Sequence, residues 1–432
     1  MKYRHQPKHR PRLTATEDTT LPSSESEPPS SGLTRRDVIR TVGAGIGLSA
    51  LPMTSGPVSA DPGYWTVAVM PDTQFYTETD ELIPYAHDQT QWVVDNRDAE
   101  NIRFVTHEGD LVENGDDVGE WDRIDAVMSR LDGVVPYSAI PGNHDWAVQG
   151  DRTSSIENFQ TYFGASRYDG YDWFGGSGPR EKPLNFYQYF SGGDYEFLHL
   201  ALELEPPGET DQASTSLGWA QRVLDSNRFL PTILTTHYYL EEKRQEKGER
   251  STELFEKNGI GNTGEQVWEK LIRRNPQVFL VCCGHDHRPD GEYHQVFEND
   301  AGLPVFEALA DYQDYPNGGN GWMRLVQFVP GGGAGGTDRI SFVTYSPSLD
   351  EYQTDADSQF SFDLRFDERF DPASWVGDVD GDGDLDGDDV ARIQNHLAGR
   401  GGSVDQSMAD VNGDGRVDIA DAVSLNNYLG GS

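Results

Sequence analysis

Between residues 64 and 346, short apolar runs alternate with stretches whose apolar positions recur every three to four residues. The runs at 65–70, 102–107, 134–140, 231–237 and 278–283 have the length of strands buried on both faces, and segments 85–98, 118–131, 217–227 and 265–274 carry helical spacing. Further strand patterns at 195–204, 305–310, 322–329 and 339–345 follow with little helix between them. This mixture predicts an α/β domain with mixed sheets. The glycine-rich stretch 331–336 precedes no helical pattern, so it predicts a hairpin tip rather than a phosphate-binding loop. Residues 351–375 are polar and aromatic without a period and predict a linker.

Polar chemistry gathers where the five buried runs stop. The first ends in Asp72-Thr73-Gln74, the second in Gly109-Asp110 with Asn114-Gly115 beyond, and the third in Gly142-Asn143-His144-Asp145. The fourth delivers His237, and the fifth Gly284-His285-Asp286-His287. An α/β sheet places its chemistry at the carboxyl ends of its strands, so these groups are expected to converge on one rim.

The ordered set DxQ, GDxxxNG, GNHD, an isolated His and GHxH resembles the calcineurin-like metallophosphoesterases over about residues 64–346. The resemblance implies a four-layer αββα sandwich with two mixed sheets and a two-metal centre. It assigns Asp72, Gln74, Asp110 and His287 to one metal and Asp110, Asn143, His237 and His285 to the other, with Asp110 bridging. Mixed nitrogen and oxygen ligands suit Mn, Fe or Zn, and a phosphoester is the implied substrate. His144 resembles the family's histidine that gives a proton to the leaving oxygen or steadies the charge on the phosphoryl group, and Asp145 is read either as the acid that orients it or as a carboxylate of the turn. Gln74 departs from the His common at that place, which leaves the metal's identity open. No tyrosine occupies the place in the GD motif where purple acid phosphatases bind ferric iron, which argues against that branch. The aromatic stretch 168–178 and the pair Tyr238-Tyr239 are each read either as a lid or stacking platform for substrate or as simple packing.

The tail 376–432 repeats itself. Asp378, Asp380, Asp382, Asp384, Asp386 and Asp389 recur 32 residues later as Asp410, Asn412, Asp414, Arg416, Asp418 and Asp421. Oxygen ligands at positions 1, 3, 5, 9 and 12, with Gly at 6 and a main-chain carbonyl at 7, follow the logic of calcium loops. Each loop feeds an amphipathic helix, and the pair resembles a type I dockerin: a small all-α module with two Ca²⁺, whose family partner is a cohesin. Loop positions 10 and 11 are Gly387-Asp388 and Ile419-Ala420, unlike the frequent Ser-Thr pair.

Charge changes the picture of where such a protein works. The chain has 73 acidic and 34 basic residues, a net charge of -39, which argues against nucleic acid as a partner and is similar to proteins of salt-loving archaea. Residues 1–33 have disordered composition. Residues 34–60 combine Arg35-Arg36, a short apolar run and Val58-Ser59-Ala60, the features of a twin-arginine export signal too short to span a bilayer. Residues 1–60 hold eight of the basic and five of the acidic residues, so cleavage after Ala60 leaves a net charge of -42. Cys282 and Cys283 are adjacent and point to opposite faces of a strand, so they form no disulfide framework.

The sequence therefore reads as an extension (1–33), an export signal (34–60), a catalytic domain (61–350), a linker (351–375) and a calcium module (376–432). The expected protein is an exported, extracellular or surface-associated phosphoesterase with no transmembrane segment, attached by its tail. The competing reading is a binding protein whose metal cluster is structural.

Overall fold

The computed structural model describes residues 63–241, 249–288 and 290–431. The extension at 1–33 and the twin-arginine segment at 34–60 lie outside the described residues. In chain order the strands are β1 (Trp65–Met70), β2 (Ile102–His107), β3 (Tyr137–Ala139), β4 (Phe174–Gly178), β5 (Asn185–Gly192), β6 (Tyr195–Leu202), β7 (Thr232–Thr236), β8 (Leu240–Glu241), β9 (Glu249–Arg250), β10 (Val278–Cys283), β11 (Glu292–Glu298), β12 (Pro304–Ala310), β13 (Met323–Val329), β14 (Asp338–Ser346), β15 (Glu351–Tyr352) and β16 (Gln359–Leu364). The main helices are α1 (Ile83–Asn96), α2 (Val118–Met128), α3 (Glu157–Phe163), α4 (Ser216–Ser226), α5 (Gly264–Lys270), α6 (Gly387–Leu397) and α7 (Ile419–Gly431).

Two seven-stranded sheets form among the described residues. One runs β15-β14-β13-β1-β2-β3, with β16 also on β14; the other runs β11-β12-β10-β7-β6-β5-β4. In the first sheet β1, β2 and β3 are parallel, and in the second β6, β7, β10 and β12 are parallel. Antiparallel strands complete both, so the sheets are mixed.

Side-chain alternation explains the layering. Along β1, Val67 and Val69 face the second sheet, whereas Ala68 and Met70 face α1 and α2. The layer between the sheets is largely aromatic: Trp65 stacks on Phe328 at 5.2 Å, and Phe197 and Phe279 pack on Phe370. Each such ring removed from water contributes about 2–3 kcal/mol. The outer face of the second sheet packs against α4 and α5. Helices, sheet, sheet and helices give the expected αββα sandwich. Cys282 faces the inter-sheet layer and Cys283 the helix side, both buried as free thiols.

Local chemistry sets the ends of these elements. Asp117 caps α2 by accepting from the Gly119 amide at 2.8 Å, and Thr263 and Gln266 cap α5 reciprocally. The expected strand 134–140 shrinks to β3 because Pro136 has no N–H for the ladder, although its carbonyl still accepts from Val105.

Residues 351–375, expected as a linker, belong to the sandwich. β16 pairs antiparallel with β14, placing Phe360 on Phe342 at 4.5 Å and Phe362 on Phe306 at 4.3 Å. Phe366 and Phe370 then enter the inter-sheet layer. The acidic residues interleaved with these rings hid a two-residue period. Residues 168–178 likewise pack as a wall: Tyr168 is buried among Tyr137 and Phe186. Trp173 lines a groove with Arg97 and Arg103, at the end of β2 opposite the site described below.

In the tail, α6 and α7 pack around Ile393, Val411 and Leu425. The module also rests on the turn after α4. Phe229 stacks on Tyr428 at 4.2 Å, Trp375 Nε1 donates to the Arg228 carbonyl at 3.0 Å, and the Arg228 guanidinium lies against Gly413, where a Cβ would sit 1.5 Å from Nη1. No helix among the described residues is long and apolar enough to cross a membrane.

Candidate metal centre

The parallel strands β1, β2 and β3 in one sheet, and β7 and β10 in the other, end at a common edge, and each hands over polar groups there. Asp72 and Gln74 follow β1, Asp110 follows β2, Asn143 to Asp145 follow β3, His237 follows β7, and His285 to His287 follow β10. Close approach of main chain makes this convergence feasible. A Cβ on Gly142 would lie 2.2 Å from Asp110 Oδ1, and one on Gly284 would lie 2.1 Å from Asp72 Oδ1.

His237 is the hub. Its Nδ1–H donates to the Glu108 carbonyl at 2.9 Å, which turns Nε2 inward, 3.0 Å from Asn143 Oδ1, 3.3 Å from Asp110 Oδ2 and 3.2 Å from His285 Nδ1. Asp110, His237 and His285 each bring one ligand atom to within 4.8 Å of the others. Asp72 accepts from the His285 amide at 3.3 Å with both oxygens. Asp110 Oδ1 accepts from the His144 amide at 2.7 Å, and Asp110 Oδ2 lies 3.5 Å from Gln74 Nε2. All seven residues assigned to metals by resemblance line this edge, and His287 sits at its outer side with Nδ1 2.8 Å from Asp314 Oδ2.

The electrostatics of this cluster fit bound cations. Burial pushes Asp72 well above the usual carboxylate range, and the charges of Asp311, Asp110 and Glu108 push it further. Burial likewise raises Glu108 against the pull of Arg324, and lifts Asp311 to about 7. Burial pushes Asp110 the same way, but His237, His144 and His285 outweigh it and hold its carboxyl below the usual range. A crowd of buried acids needs positive charge to stay ionised. Gln74 Oε1 and one oxygen each of Glu108 and Asp311 are buried without a hydrogen-bond partner, as groups directed at a cation would be.

His144 lies beside this cluster. Its Nδ1 is 3.0 Å from both the carbonyl and a carboxylate oxygen of Glu113, and Gln149 Nε2 is 2.6 Å from its Nε2. Burial lowers its pKa, but Asp110 and Glu113 outweigh that and raise it to about 10. Asp145 makes the hydrogen bonds of the turn carboxylate, the second of its two readings, and not those of the acid that orients His144. Its Oδ2 accepts from the Gly142 amide at 2.8 Å, and its Oδ1 accepts from the amides of Leu111 at 2.9 Å and Val112 at 3.2 Å. It pins two strand-end turns together, and Glu113 is the acid on the ring. Glu113 sits inside the GDxxxNG motif, three residues past Asp110, so its position was readable from the sequence.

The cluster floors a cavity of about 670 Å³. Tyr238 and Phe255 wall it, their rings 4.4 and 4.6 Å from that of His285. Tyr239 takes no part; it is buried on Glu307 and Arg250. Among the remaining histidines, His107 braces the site by contacting Thr73 Oγ1 at 3.0 Å and the Gly109 amide at 3.2 Å.

The calcium loops are preshaped. In the first, Asp378, Asp380 and Asp389 gather, as do Asp384, Asp386 and Asp389. Asp389 accepts from the Val379 amide at 2.7 Å and the Asp386 amide at 2.9 Å. Asp421 does the same in the second loop, from Asn412 at 3.0 Å and Asp418 at 2.7 Å. Asp410 places one buried oxygen there with no hydrogen-bond partner. Asp382, Asp384, Asp386, Asp414, Arg416 and Asp418 lie on the loops between these anchors.

Comparison with known proteins matches this architecture in two places. Residues 66–289 match the family described as calcineurin-like phosphoesterase, and residues 376–430 match the dockerin type I domain. The protein YvnB of Bacillus subtilis, described as uncharacterized, is 32% identical over 299 residues, which are 67% of this chain and 21% of that protein. The chain thus spans about a fifth of the length of this relative. Among solved structures, purple acid phosphatase PPD1 from yellow lupin (Lupinus luteus) seeds is similar at 14% identity and a TM-score of 0.43, over 70% of this chain and 54% of that one. The 5'-nucleotidase from Candida albicans is similar at 10% identity and a TM-score of 0.34, over 78% and 58%. With its family match covering more than half its length, the chain belongs to the calcineurin-like phosphoesterases and carries a dockerin type I domain at its C-terminal end.

Proposed function

We propose that this protein is a metal-dependent phosphoester hydrolase, exported by the twin-arginine route and attached to a surface or complex through its dockerin tail. The observation that carries the enzymatic reading is the placement of Asp110. One of its oxygens is held by the His144 amide at 2.7 Å, and the other lies 3.3 Å from His237 Nε2 and 3.5 Å from Gln74 Nε2. A buried carboxylate shared in this way between two donor groups suits a bridging ligand.

Asp72, Gln74, Asp110 and His287 would hold one divalent cation, and Asp110, Asn143, His237 and His285 the other. When bound, the pair supplies Lewis-acid polarisation of the phosphoryl group and an acidified water. The chain's own residues do the rest. His144, kept protonated by Asp110 and Glu113, gives its Nε2 proton to the departing oxygen. Glu113 fixes the ring through Nδ1. Asp145 keeps the turn carrying Asn143 and His144 in register with Asp110. Tyr238 and Phe255 exclude water from one side of the cavity, and Arg288 reaches its mouth as a cation for a second acidic group of the substrate.

The tail supports attachment to a cohesin-like partner, and the acid excess supports work in concentrated salt, where charge repulsion is screened. The test is turnover of p-nitrophenyl phosphate and bis-p-nitrophenyl phosphate by chelated protein resupplied with Mn²⁺. Activity well above that of an Asp110→Ala control is expected. Turnover equal to the control would leave a binding protein with a structural metal cluster.

A further inference from the structure

The family match ends at residue 289, yet the edge carrying the site has one more parallel strand. β12 runs parallel to β10, so its carboxyl end also arrives there, bringing Asp311, Gln313 and Asp314. Gln313 and Asp314 each meet a different residue of the first proposed cation position, and Asp311 anchors Gln313 beside them. Gln313 Oε1 accepts from Gln74 Nε2. Asp314 Oδ2 accepts from His287 Nδ1 at 2.8 Å. Asp311, 1% exposed, holds the Gln313 amide through Oδ1 at 3.0 Å, and its charge acts on Asp72.

We infer that Asp311, Gln313 and Asp314 form the supporting wall of the first cation position and set its affinity, a role that rests on the two-cation reading above. The argument begins with Gln74. A primary amide has a donor end and an acceptor end, and only the acceptor binds a cation. Gln313 and Asp110 Oδ2 both present oxygens to Nε2, so Oε1 is turned the other way, where it is buried without a partner. In a chain with Gln where a ring nitrogen is common, this second glutamine selects the useful face of the amide. Asp314 acts alike on His287. A carboxylate only accepts, so Nδ1 carries the proton and Nε2 keeps its lone pair for a metal. Asp311 adds charge. Its Oδ1 accepts from the Gln313 amide at 3.0 Å, which leaves Oδ2 buried and without a partner.

The three are positioning residues, so their loss should appear in metal binding itself. Full-length protein is stripped with chelator and titrated with Mn²⁺, the free ion being read by electron paramagnetic resonance. Wild type is expected to take up two Mn²⁺ in the catalytic domain, counted with Ca²⁺ saturating the tail. Gln313→Ala and Asp314→Ala should keep one tight site and weaken the other about 10–100-fold. Gln313→Glu, which retains an acceptor oxygen, should bind within a few-fold of wild type. Chelated variants melting with wild type would show that the fold is intact. Two Mn²⁺ sites of wild-type affinity in both alanine variants would overturn the inference. Fewer than two sites in wild type would overturn the two-cation reading, and this wall with it.

Discussion

His144 Nδ1 and the Glu113 carboxylate lie 3.0 Å apart, whereas Asp145, the acid next to His144 in the chain, uses both oxygens on main-chain amides. Two acids flanking one turn therefore have different work. One controls the ring and its proton, and the other holds the turn.

Replacing Glu113 by Gln should change rate and pH dependence more than binding. Burial lowers the pKa of His144, and Asp110 and Glu113 lift it. Without the Glu113 charge the pKa falls, so the alkaline limb of kcat should move to lower pH by about one unit. His144→Ala should lower kcat about 100- to 1,000-fold with KM within a few-fold. A pH–rate profile on one substrate checks both, and an unmoved alkaline limb in Glu113→Gln would refute the pairing.

Asp145→Ala removes an acceptor from three buried amides. It should cost about 3 kcal/mol in urea unfolding, and Asp145→Asn less. A variant as stable as wild type but inactive would instead make Asp145 a partner in the chemistry.

Cation removal should matter more as pH rises. Burial raises Asp145 and Asp311 to about 7, well above the unfolded value of about 3.9. The stability these groups lend while protonated is present below about pH 4 and is lost as pH climbs through 7. Cations can take the place of those protons, so the gap in Tm between Mn²⁺-loaded and chelated protein should widen from pH 5 to pH 8. A constant gap in differential scanning calorimetry would count against a cation in this cluster.

The tail should depend on Ca²⁺ for its fold. Its core is small, built around Ile393, Val411 and Leu425, and its carboxylates repel one another: Asp384 is raised by Asp382 first of all, and Asp421 by burial. Chelation with EGTA should unfold the backbone around Arg392, Arg400 and Arg416 and make it cleavable by trypsin. Asp421→Ala should bind one Ca²⁺ fewer and loosen Tyr428 from Phe229. Unchanged proteolysis with and without Ca²⁺ would show that the seat on Arg228 and Phe229 suffices alone.

Much of the polar edge was legible because its residues sit at strand ends with fixed local spacing, and spacing is written in the chain. The buried strands, the helices between them, the paired calcium loops and the seven residues at the metal edge follow from periods and short motifs. Missing were elements whose pattern was mixed. β16 interleaves its two phenylalanines with Ser361 and Asp363 in an otherwise polar stretch, and β5 follows an aromatic stretch that reads equally well as a lid. Asp311, Gln313 and Asp314 went unmarked although they too follow a buried strand, because the order of strands within a sheet is not a local property. Tertiary structure alone brought β12 beside β10, gave Glu113 rather than Asp145 to His144, and set the tail on Arg228 and Phe229. The reason is physical. Hydrophobic period and turn chemistry act over a few residues and are encoded locally, whereas which carboxylate faces which imidazole depends on how two sheets pack, and that is decided by contacts between segments far apart in the chain.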